Sequence, residues 1–172
     1  MAPTARNREP SARVGKNARV RVSAKADYAV RAAIELAAAH AEGRPVKGDA
    51  IAVAQEIPLR FLENILAEMR QHGLVMSRRG AEGGYWLARP PDDITVAEIM
   101  RSVEGPLAAV RGETPDQLDY RGAAEPLKDV WVALRANVRS VLESVTLADL
   151  VSGELPEPVR GLAEHPESAH GR

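Results

Sequence analysis

Apolar residues recur along this chain at two different spacings, and the change between them marks out its parts. From Ser23, a good helix N-cap, Ala26, Ala29, Val30, Ala33, Ile34 and Ala37 follow the three-and-four spacing of a buried helical face. That predicts a helix from 24 to about 41, ended by Gly43. A short helix is predicted over 48–55, with Asp49 in its first turn, where a negative charge suits the helix dipole. Pro58 fits only the first turn of the next helix, which runs to His72 and stops at Gly73. In that third helix Leu59, Leu62, Ile65, Leu66 and Met69 line one face, and Arg60, Glu63, Asn64, Ala67, Arg70 and Gln71 fall mostly on the other.

The spacing then changes. Residues 74–78 and 85–88 are strand-like and flank Arg79-Gly80-Ala81-Glu82-Gly83-Gly84, which predicts a β-hairpin. Thr95 and Glu98 form a T-x-x-E capping box that opens a fourth helix over 96–104. Residues 106–125 are loop-like. Pro126 opens the longest periodic helix, with Leu127, Val130, Trp131, Leu134, Val138, Val141, Leu142 and Val145 in one stripe, and a last short turn of helix follows at 146–151, with Thr146 and Asp149 in capping positions. The expected division is a disordered basic tail over 1–20, a winged helix-turn-helix unit over 21–105, a loop over 106–125, a long helix region over 126–152 and a second disordered tail over 153–172. The fold class is mainly α, with one small hairpin.

Charge sharpens this picture. Residues 1–25 carry seven basic groups against one acidic, a net +6, whereas residues 91–172 carry a net −7. A basic front and an acidic back suit a chain whose one end meets a polyanion; a solvated basic tail with no partner is the plain alternative. The 172 residues include no cysteine, which excludes disulfides, thiol catalysis and cysteine-ligated metal centres built from this chain. His40, His72, His165 and His170 are scattered, and no metalloprotease, serine-hydrolase or phosphate-loop motif occurs. No enzyme, no metal and no cofactor is expected. Neither a signal peptide nor a membrane-length apolar run is visible, so a cytoplasmic protein is expected.

Helix, short helix, tight turn, helix, then a glycine-tipped hairpin is the order of a winged helix-turn-helix. A major groove about 12 Å wide accepts one α-helix with its N-terminal residues against the base edges. Arg60, Glu63 and Asn64 occupy that place, and their side chains match guanine, cytosine and adenine edges respectively. Ser77, Arg78 and Arg79 reach the hairpin tip, beside glycines that let backbone approach phosphate, and an arginine there can enter a narrow minor groove. Each feature alone has a duller reading, as solvated helix face or simple turn; their order and spacing together favour DNA.

From Arg21 to about Val151 the chain resembles the winged-helix regulators that include the iron–sulfur cluster regulator, the nitric-oxide-sensitive repressor and the cysteine metabolism repressor. The stretches carrying the resemblance are SAKADYAVRAAIELA at 23–37, the segment 57–90 with its R-G-x-x-G-G-Y wing, ITVAEIMRSVEG at 94–105, and 130–150 ending in T-L-A-D-L. The resemblance implies a homodimer joined through the long helix by Leu127, Val130, Trp131, Leu134, Val138, Val141 and Leu142. It implies a pseudo-palindromic DNA operator, with repression as the expected effect. It places DNA contacts on Leu59, Arg60, Glu63, Asn64, Arg78, Arg79, Gly83 and Gly84, with Lys25 and Tyr28 near the DNA backbone. Relatives that sense iron or nitric oxide hold a cluster with cysteines after the fourth helix; here residues 106–125 contain none. The resemblance is therefore to the cysteine-poor branch, controlled by a partner enzyme or small-molecule effector and tied to sulfur or cysteine metabolism. A winged-helix assembly module without DNA readout is the alternative.

Overall fold

The computed structural model describes residues 22–164. The basic tail expected over 1–20 and the last eight residues lie outside that range.

The central helix, α1 (Ala24–Ala38), is capped by Ser23, whose hydroxyl accepts the Ala26 amide at 3.1 Å. It buries Ala26, Ala29, Ala32, Ala33, Leu36 and Ala37. A face made almost wholly of alanine lets other helices approach closely, and four of them pack on α1. These are α2 (Gly48–Gln55), α3 (Leu59–Gln71), α4 (Val96–Glu104) and α6 (Leu147–Ser152). The helix ends sooner than its periodicity predicts: residues His40–Glu42 tighten into a 3-10 turn before Gly43, at φ 63°, reverses the chain.

Between α2 and α3 the chain turns through Glu56, a non-glycine residue at φ 53°, and the Ile57 amide closes the turn on the Ala52 carbonyl at 2.9 Å. Pro58 lies just before α3 rather than within it, and its carbonyl accepts the Phe61 and Leu62 amides. Leu62, Ile65, Leu66 and Met69 of α3 are buried against α1, Ile51 and Ile57. Leu59 is the exception in the expected apolar face: it is 43% exposed at the helix start, outside the core.

The hairpin forms from β1 (Val75–Arg78) and β2 (Gly84–Leu87), antiparallel, with Val75 opposite Leu87 and Arg78 opposite Gly84. Val75 and Leu87 root it in the core. A third short element joins it: Val46 exchanges both backbone hydrogen bonds with Tyr85, each at 2.8 Å.

Both capping boxes read from the sequence are formed, Thr95 with Glu98 and Thr146 with Asp149. The two caps are also paired to one another, since the Val96 amide donates to the Val145 carbonyl and the Leu147 amide to Ile94, each at 2.9 Å. That bridge fastens the end of α5 (Leu127–Ser144) to the winged unit. Residues 106–125 are an ordered loop: Leu107, Pro115 and Leu118 are buried, and Val110 and Glu113 close a tight turn. Past Gly153 the expectation of a disordered tail is corrected over α7 (Glu157–Glu164). Pro158 sits in its first turn, where a missing N–H costs nothing, and Glu157 complements the helix dipole there.

Candidate nucleic-acid interface

Helix α3 divides cleanly. Its inner face is buried, while Arg60, Glu63 and Asn64 are exposed, and none of these three side chains has a polar partner among the described residues. Groups that would donate to or accept from base edges are thus left available at the N-terminal half of a rigidly seated helix.

The seating comes from polar links as well as packing. Arg31 on α1 reaches Gln55 at the end of α2, hydrogen-bonding its side chain at 3.0 Å and also its carbonyl. The same guanidinium lies over the Tyr28 ring, 5.5 Å from its centroid. Tyr28 meets Phe61 of α3 edge to face, with ring centres 5.8 Å apart. Half-buried Tyr28 therefore supports the start of α3 from behind. Phe61, 39% exposed, and Leu59 add apolar surface beside Arg60. Phe61 was not among the residues expected from sequence, where it was assigned to neither face of the helix. At the far end of α3, Arg70 donates to the Ser77 hydroxyl at 3.1 Å and joins the helix to the wing.

At the wing, Arg79 is exposed and its side chain has no partner among the described residues. Arg78 is partly engaged, donating to the Glu82 carbonyl at 3.0 Å.

Three of the residues expected at the interface also have partners or close neighbours inside the protein. Gly83 is buried, and a Cβ there would meet the Arg78 carbonyl oxygen at 2.1 Å; it is glycine because the hairpin closes on itself. Gly84, at φ 150°, would place a Cβ 2.6 Å from the Val46 carbonyl oxygen. Both glycines answer close approaches within the protein. Lys25 donates to Glu68 at 2.7 Å and to the Val103 carbonyl at 2.9 Å, so its ammonium ties α1 to α3 and α4.

On α5 the apolar stripe has no fully buried residue. Val130 is 55% exposed and Leu127 is exposed, while Trp131, Leu134, Val138, Val141 and Leu142 are half-buried, Leu142 against Ala97, Met100 and Leu107.

The family model for Rrf2, described as "Iron-dependent Transcriptional regulator", matches residues 22–153. The chain belongs to the Rrf2 family. A Mycobacterium tuberculosis protein named as an HTH-type transcriptional regulator, Rv1287, is 50% identical over 161 residues, covering 88% of this chain and 99% of its own length. The Bacillus subtilis regulator CymR is 38% identical over 134 residues, covering 77% of this chain and 91% of its own. Among solved structures, B. subtilis CymR superposes with a TM-score of 0.66 at 37% identity, covering 77% of this chain and 97% of that one. The T. potens IscR structure gives 0.61 at 34% identity, covering 88% and 93%. This chain is accordingly a DNA-binding transcriptional regulator with the Rrf2 winged-helix fold.

The family description raises iron, and the donor set of the described residues does not fit it. There is no thiolate anywhere in the sequence, and among the described residues no group of three or more His, Asp or Glu is placed to hold a metal ion. In the 106–125 segment Leu107, Pro115 and Leu118 are buried. Among the described residues, no helix is long and apolar enough to cross a membrane.

Proposed function

We propose that this regulator acts as a homodimer that represses transcription from a pseudo-palindromic operator, without an iron–sulfur cluster. Arg60, Glu63 and Asn64 read base edges in the major groove, and Arg79 enters the flanking minor groove. The observation that carries this is the division of α3, whose buried inner face fixes an outer face of three unpartnered polar side chains. Catalysis plays no part in this reading.

Two copies are inferred from α5. An eighteen-residue helix with no buried residue is a poor end point for a chain with so much Val, Leu and Trp on it. A second α5 covering Leu127, Val130 and Leu134 would bury that surface and set two recognition helices about 34 Å apart, or a multiple of it.

Its control rests on likeness alone. CymR carries the description "Global Cysteine Regulator" of B. subtilis, and by that similarity we place this chain in sulfur or cysteine metabolism, under a partner enzyme or small-molecule effector. Selection of bound sequences from random DNA tests the reading. A two-fold symmetric motif is the expected product. Recovery of sequences with no common motif would overturn it and favour an assembly module instead.

A further inference from the structure

The wing tip is a short run of backbone, residues 80–82, whose carbonyl oxygens all find donors. The Gly80 oxygen accepts the Gly83 amide at 3.0 Å. The Glu82 oxygen accepts Arg78. The remaining donor comes from outside the hairpin: the Lys47 ammonium reaches the Gly80 oxygen at 3.1 Å and the Ala81 oxygen at 2.5 Å. Lys47 lies thirty-three residues earlier in the chain and immediately precedes α2, the first helix of the helix-turn-helix. Its neighbour Val46 is the residue paired with Tyr85 of β2. The 46–47 segment thus grips the hairpin twice, by backbone at its middle and by side chain at its tip.

We propose that Lys47 is a positioning residue for the wing, holding the tip so that Arg79 is presented to the minor groove in one arrangement. An isolated two-stranded hairpin is only marginally stable in water. A tip left loose would have to be ordered each time DNA is bound, and fixing it beforehand removes that cost. The contact also couples two parts of the interface, because the ammonium that holds the tip stands at the start of α2. The role of Arg79 rests on the DNA reading proposed above; the fixing of the tip does not.

Full-length protein carrying Lys47→Met, which keeps the length and loses the donor, is compared with wild type and with Lys47→Arg. Hydrogen exchange of the 79–84 amides without DNA reports the tip directly. Exchange about 5–10-fold faster in the Met variant, with α1 unchanged, is the expected result; the Arg variant keeps exchange slow because it retains donors for both carbonyls. Unchanged exchange in Lys47→Met overturns the proposal, and this half of the test stands whatever DNA does. Binding is then measured on one selected operator with A/T-rich or G/C-rich flanks. Lys47→Met should lose the wild-type preference for A/T flanks, and Lys47→Arg should retain it. Equal loss on both flanks, with the slope of log affinity against log salt reduced by about 0.9, would make Lys47 a plain phosphate contact and overturn the positioning role.

Discussion

The Lys25 ammonium and the Glu68 carboxylate meet at 2.7 Å between α1 and α3, and the same ammonium also caps the Val103 carbonyl of α4. One lysine therefore joins α1, α3 and α4.

Because Lys25 is used internally, Lys25→Met should lower stability rather than loosen DNA contacts. We expect a loss of about 1–2 kcal/mol in denaturant unfolding, since a charge-assisted hydrogen bond to a buried carbonyl goes with the partly exposed ion pair. The salt dependence of DNA affinity should stay as in wild type. A slope flattened by about 0.9 with stability unchanged would restore Lys25 to the DNA backbone.

Glu98 links acid sensitivity to the cap of α4. Burial pushes its carboxyl upward, but the Thr95 amide and the Arg89 guanidinium more than reverse this and leave it below its ordinary value of 4.5. A carboxyl lowered by folding gives stability above that ordinary value and loses it as pH falls through the lower folded one. Glu98→Gln should cost about 0.5–1 kcal/mol at pH 7, because glutamine can still accept the Thr95 amide but loses the charge that pairs with Arg89. The gap from wild type should close as pH falls below about 4. Unfolding curves at several pH values would show a constant gap if the carboxylate charge were irrelevant.

Assembly is tested best at Val130, which is 55% exposed in the single chain, rather than at half-buried Val138. Val130→Glu should leave the fold intact, with an unchanged circular dichroism spectrum. It should give monomers by light scattering and weaken operator binding at least tenfold, the equivalent of about 1.4 kcal/mol. A wild-type monomer at micromolar concentration would contradict the two-copy reading.

Five of the seven basic residues in the first 25 precede position 20. Deleting residues 1–19 should flatten the salt slope of DNA affinity by about 2, as two phosphate contacts are lost, and leave base preference unchanged. Parallel lines for the full-length and shortened proteins would mean that this segment does not touch DNA.

How much of this was legible in the sequence varies with the range of the interaction. Local signals served well: the spacing of Leu62, Ile65, Leu66 and Met69, the two capping boxes, and the glycine-tipped hairpin all formed. Partners distant in the chain were invisible. Lys25 reads as a free cation until Glu68, forty-three residues on, is placed beside it, and Lys47 reads as ordinary surface until the wing folds over it. Gly83 and Gly84 were legible as glycines but not in their purpose, which depends on the Arg78 and Val46 carbonyls. The proline-containing stretch from 153 reads as a disordered tail, yet Pro158 sits in the first turn of α7.

The central claim is that α3 reads bases through its outer face, and Arg60 tests it most directly. Binding of wild-type protein and Arg60→Ala is measured on the selected operator and on all its single-base variants, at one salt concentration. The account predicts a loss of about 1–3 kcal/mol on the best operator, with discrimination flattened at one or two symmetric positions and kept elsewhere. An Arg60→Ala protein that still ranks every single-base variant as wild type does would contradict it.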